Sequence, residues 1–170
     1  MNSQTHDESR CSLAAEVLRT SGKLRLRAMG VSMLPTLWPG DQLAVQACRM
    51  DEIALGELVL FMRHGRFFIH RAVGALLIGN EALLIARGDC MPGEDLPVRK
   101  SELLGRITGV QRGASSFIPG RELSAFCRMT AYLLCRWDLF RRIAMRLWDR
   151  FRSNDRRAEA VLVNVTPQLN

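Results

Sequence analysis

Between Lys23 and Gln111 the chain is cut into short strand-like runs by turn residues, and this constrains the fold more than any other feature. Lys23-Leu24-Arg25-Leu26-Arg27-Ala28-Met29 alternates polar and apolar side chains, the pattern of a half-buried strand. Further runs cover Gln42 to Ala47, Glu57 to Met62, Phe67 to Val73, Ala82 to Ala86 and Leu103 to Gln111. His64-Gly65 and Gly79-Asn80 fall between runs, where tight hairpins would place them. Strands at this spacing predict a mainly β fold, an all-β sheet or a partly open barrel.

The flanks read differently. Ser9 to Thr20 predicts a short N-terminal helix, with Leu13, Val17 and Leu18 on one side and Gly22 as its stop. After Gly120, Leu123, Phe126, Thr130, Leu133, Trp137, Phe140, Ala144, Leu147 and Phe151 recur at helical spacing. Arg128, Arg136, Arg142, Arg146 and Arg150 fill another side, so this stretch predicts one or two basic amphipathic helices. Its apolar face is expected to pack on the core. The alternative is contact with an anionic membrane surface, with Trp137 and Trp148 near the headgroups. The expected organisation is a helical lead-in over 1–22, a β-rich domain over 23–118, a basic helical segment over 119–157 and a tail over 158–170. Val161, Val163 and Val165 give the tail the option of a strand.

A chain of 170 residues, 48% hydrophobic, can fill one domain core. It contains no run of eighteen apolar residues and no apolar signal-peptide core, so a cytoplasmic or peripherally membrane-associated location is expected. Five cysteines without a C-x-x-C pair or a Cys/His cluster argue against a disulfide framework and against zinc. No cofactor or metal is expected. The formal charge of +7 is almost all arginine, with lysine only at Lys23 and Lys100. Arginine stays protonated and cannot serve as a base, so lysine-based catalysis has two candidates in the whole chain.

Ser32 sits in Met29-Gly30-Val31-Ser32-Met33-Leu34-Pro35-Thr36-Leu37-Trp38-Pro39-Gly40-Asp41, a constrained Gly/Pro loop directly after a strand. A serine hydroxyl needs a base to become a nucleophile. Of the three histidines, His6 lies in a polar terminus and His64 in a turn. His70 stands inside the apolar run Phe67-Phe68-Ile69-His70-Arg71-Ala72-Val73, where its neutral form could accept the Ser32 proton. Arg87-Gly88-Asp89-Cys90-Met91-Pro92-Gly93-Glu94-Asp95 carries three carboxylates in a turn-rich loop. One of them could fix the His70 tautomer, and sequence order leaves open which.

Four boxes in order carry a resemblance. Gly30 to Leu37 with Pro39-Gly40-Asp41 resembles the nucleophile box of the signal peptidase and self-cleaving repressor superfamily. Gly56-Glu57-Leu58-Val59-Leu60-Phe61 is similar to the strand that follows, His70-Arg71-Ala72-Val73 to the second catalytic box, and Arg87-Gly88-Asp89 with Asp95 to the third. His70 occupies the place of the lysine used by bacterial type I signal peptidases and the repressors. The set is most similar to the archaeal and endoplasmic-reticulum type of signal peptidase I, with serine, histidine and aspartate. The resemblance implies a serine endopeptidase acting on an extended peptide or protein substrate. Ser32 would be the nucleophile, His70 the general base, Asp95 the orienting acid and Asp89 a support of the loop or of the charge network. The Ser32 backbone N–H would help form the oxyanion hole. Some members add a hydroxyl two residues before the nucleophile, where this chain has Gly30. A catalytically silent or self-processing peptide-binding module of the same fold is the alternative. No nucleic-acid partner is expected, because the segment before Lys23 is too short for a helix-turn-helix module.

Overall fold

The computed structural model describes residues 3–137 and 139–150. The tail strand considered at Val161 to Val165 lies outside the described residues, as does the His6 side chain. Helix α1 (Ser3–Ser21) is followed by strands β1 (Lys23–Arg27), β2 (Gln42–Ala47), β3 (Leu58–Arg63), β4 (Arg66–Ile78), β5 (Glu81–Arg87), β6 (Leu103–Arg112) and β7 (Ser115–Phe117). Helix α2 (Ala125–Arg136) and a second helical stretch, α3, over 139–150 complete the described chain. The strands form one antiparallel sheet in the order β1-β2-β6-β3-β4-β5, with β7 on β6. The architecture is mainly β, and the sheet does not close into a barrel.

The period-two pattern explains the strands. In β2, Leu43 and Val45 are buried while Gln42 and Gln46 are exposed. Central β3 is buried over Leu58, Val59, Leu60 and Phe61, as a strand covered on both faces should be. The expected end of β4 at Val73 was too early. Gly74 reads as a breaker, but the strand absorbs it as a bulge between Ala72 and Gly74 and runs on to Ile78. His64 and Gly65 both adopt positive φ in the β3–β4 turn, the conformation such a tight hairpin demands.

Both helical expectations need correction. In α1, Leu13 and Val17 are exposed, whereas Ala15 and Leu18 are fully buried against the sheet. The inward face follows Cys11, Ala15 and Leu18, whose spacing of four and three residues the bulkier side chains concealed. At the C-terminus Phe126, Trp137, Phe140 and Leu147, expected on the core, face outward. Ala131 is buried instead, and Leu134, Cys135, Ala144 and Met145 pack with Leu34 and Cys90. Trp148 is half-buried. It lies 4.7 Å from Trp38, centroid to centroid, and donates its indole N–H to the Pro39 carbonyl at 3.0 Å. The C-terminal helices therefore brace the loop that carries Ser32.

Candidate active site

Ser32 lies in the loop between β1 and β2, and that loop is fastened at several points. Met33, Leu34 and Leu37 are buried beneath it. Asp41, only 1% exposed, accepts from the Trp38 N–H at 2.8 Å and from Arg112 at 2.6 and 3.0 Å. Arg112 also donates to the Thr36 carbonyl at 2.9 Å. The Cys90 N–H donates to the Ser32 carbonyl at 2.8 Å, tying the Ser32 loop to the acidic loop after β5. No acceptor among the described residues engages the Ser32 N–H.

His70 comes from β4, opposite Val59 in β3, with its ring edge-on to Phe61 and Phe68. Its side chain is nearly fully buried, and both ring nitrogens are engaged. Nδ1 meets the Asp95 carboxylate, and Nε2 lies 3.0 Å from Ser32 Oγ. With the proton on Nδ1 facing Asp95, Nε2 presents a lone pair to the serine hydroxyl. Serine, histidine and aspartate thus form one hydrogen-bonded chain, the arrangement needed for base-assisted attack on a carbonyl.

The two candidate aspartates have separate contacts. Asp95 faces His70. Asp89 lies apart from the ring and forms a two-pronged ion pair with Arg71, at 2.8 Å from both Nε and Nη2, and accepts from the Thr36 hydroxyl. Arg71 is 6% exposed and also donates to the carbonyls of Gly56, Gly120 and Arg121. Its partners gather the acidic loop, the turn before β3 and the segment leading to α2.

Sequence reasoning missed three contributors. Thr36 and Arg112 hold the loop through partners remote in sequence, so no local pattern marks them. Gly88 had a visible signal, a glycine beside the acid in a tight loop. A Cβ there would come within 2.6 Å of Met91 Cγ, 2.8 Å of the Ser32 carbonyl oxygen and 3.2 Å of His70 Nε2. Only glycine lets the loop approach the pair this closely. Neither lysine reaches the site: Lys23 begins β1, Lys100 precedes β6, and neither lines the cleft around Ser32. Burial pushes the Cys48 thiol up to about 11 and raises that of Cys90, so both stay protonated near neutrality and are poor candidate nucleophiles.

Ser32 and His70 open into a cleft of about 570 Å³ floored by Leu26, Met33, Leu37, Phe67 and Ile69, with Cys11 of α1 on one wall. Its flanks are unpaired strand edges. Among the described residues β1 pairs with β2 alone, and β4 pairs with β5 only from Arg71 onward, leaving Arg66 to His70 open on that side. A depression of about 320 Å³ beside β2, β6 and β7 holds one ionisable side chain, Arg25, and no nucleophile–base pair. Among the described residues no cluster of His, Cys, Asp and Glu could hold a metal ion. Among the described residues no helix is long and apolar enough to cross a membrane.

No protein-family model matches the chain, and no curated protein matches it.

Proposed function

We propose that this protein is a serine endopeptidase of signal peptidase-like type, cleaving extended peptide segments. The carrying observation is the hydrogen-bonded chain Ser32–His70–Asp95 opening into an apolar cleft between two free strand edges. The substrate pairs with one or both edges as an added strand, which brings a backbone carbonyl alongside Ser32. His70 takes the hydroxyl proton through Nε2 as Oγ attacks the carbonyl carbon. Asp95 holds the ring in its tautomer and stabilises the imidazolium. The Ser32 N–H faces the developing oxyanion. Imidazolium then protonates the leaving amine, and water, activated by the same nitrogen, releases the acyl group. Gly30 supplies no hydroxyl, although its Cβ position lies 4.0 Å from Ser32 Oγ, so the oxyanion hole rests on backbone donors.

A serine-directed fluorophosphonate should label the protein, and Ser32→Ala and His70→Ala should abolish labelling. Equal labelling of the Ser32→Ala protein would remove Ser32 from the reaction. A silent peptide-binding module of the same fold predicts no labelling with binding retained.

The C-terminal helices support a peripheral membrane contact. Phe126, Met129, Tyr132, Trp137, Leu139 and Phe140 are all exposed, and exposed Arg128, Arg136, Arg142 and Arg146 lie among them. That pairing of apolar and cationic side chains suits an anionic lipid surface. Vesicles of phosphatidylglycerol should co-sediment the protein, with phosphatidylcholine vesicles much weaker. Trp137→Ser with Phe140→Ser should release it, and unchanged sedimentation of that variant would reject these helices as the contact.

A further inference from the structure

We infer that the mouth of the cleft selects peptide segments carrying acidic residues. Arg10 of α1, Arg27 at the end of β1 and Arg66 at the start of β4 line the same cleft as Ser32 and His70. All three are exposed, and none of their guanidinium groups has an ion-pair or hydrogen-bond partner among the described residues. The contrast with other arginines is sharp: Arg63, Arg71 and Arg112 each grip a carboxylate. Among the described residues the single carboxylate lining the cleft is Glu8, whose stem packs beside Gly65. Three uncompensated guanidinium groups against one carboxylate leave the entrance positive. Each planar fork is shaped to take a carboxylate through two N–H donors.

Their placement fits an extended ligand. Arg27 and Arg66 stand on the two strands whose free edges flank the cleft, and Arg10 comes from the helix along its wall. A peptide threaded between those edges carries its alternate side chains toward the mouth. Aspartate or glutamate there meets opposite charge, while lysine or arginine meets like charge. The cleavage part of this inference rests on the peptidase reading; the binding part does not.

The test uses two fluorescein-labelled alanine-rich dodecapeptides, one with three aspartates and the other with three lysines. Binding to the Ser32→Ala protein is read by anisotropy, and cleavage by the unaltered protein by mass spectrometry. The aspartate peptide should bind about tenfold more tightly at low salt, with the difference collapsing near 0.5 M salt. Arg27→Glu with Arg66→Glu should reverse the preference, and Arg27→Gln with Arg66→Gln should flatten it. Arg142→Glu with Arg146→Glu makes the same change in net charge on α3 and should leave the preference in place. Equal binding of the two peptides, no binding of either, or equal loss in the α3 variant would overturn the inference. Acid-selective binding without cleavage would retain it and reject the peptidase reading instead.

Discussion

Asp89 and Asp95 lie six positions apart in one loop, yet their substitutions should fail in different ways. Asp95 touches His70, so Asp95→Asn should lower turnover of a cleaved peptide by about four orders of magnitude through loss of the correct tautomer. Thermal stability should change little. Asp89 instead neutralises a buried guanidinium, and Asp89→Asn leaves Arg71 charged and underpaired at a cost of roughly 3–5 kcal/mol. Paired denaturation curves and rates separate the two; a stable, slow Asp89→Asn protein would contradict the division. Gly88→Ala should reduce turnover about hundredfold, because the Ser32 carbonyl and His70 cannot both keep their places against a new methyl group. Wild-type turnover in that variant would refute the close approach. Ser32 and His70 were legible in the sequence because each is a polar residue in an unusual local setting. The division between Asp89 and Asp95 was not legible from the residues alone, since each is a turn acid and only the folded position of β4 distinguishes them.

The elements differ in how far local pattern exposes them. Strands β2, β3 and β6 follow their apolar runs closely, because turn chemistry bounds them. β4 outruns its pattern because tertiary pairing with β5 carries it through Gly74. β7 is too short for periodicity to register. The helices were legible only in part: Leu18 and Leu134 pack inward beside the alanines Ala15 and Ala131, while Leu13, Val17 and Phe126 face out. Charge ties also operate at this scale. Arg63 on β3 grips Glu102 at 2.7 Å through two nitrogens and donates to the Leu96 and Pro97 carbonyls, so it clamps the segment that follows Asp95. The Arg63 guanidinium holds the Glu102 carboxyl below its ordinary value of 4.5. A depressed carboxylate stabilises the fold above its unfolded pKa, and that contribution is lost as pH falls through the folded value. Urea unfolding should show stability declining below about pH 4.5, with a shallower decline in Glu102→Gln. Parallel declines in the two proteins would discount this clamp.

Across the whole molecule, arginine acts as a fastener as well as a source of charge. Arg71–Asp89, Arg112–Asp41 and Arg63–Glu102 each join segments distant in sequence, and none of these pairings can be read from the order of residues. The composition gave the +7 balance without showing which cations are spent internally and which remain at the cleft. The N-terminal helix walls the cleft and the C-terminal helices brace the loop that carries Ser32, so both flanks support the candidate site held by the sheet.

His70 and Arg71 are adjacent on β4, and neighbouring residues of a strand point to opposite faces. One faces Ser32 and Asp95, and the other locks Asp89 and the segment before α2. A one-residue slip of β4 against β3 would exchange the two and lose both sets of partners together. Under the proposed peptidase function, catalytic competence then doubles as proofreading of strand register. Within any preparation, the number of titratable active sites should equal the number of correctly folded chains.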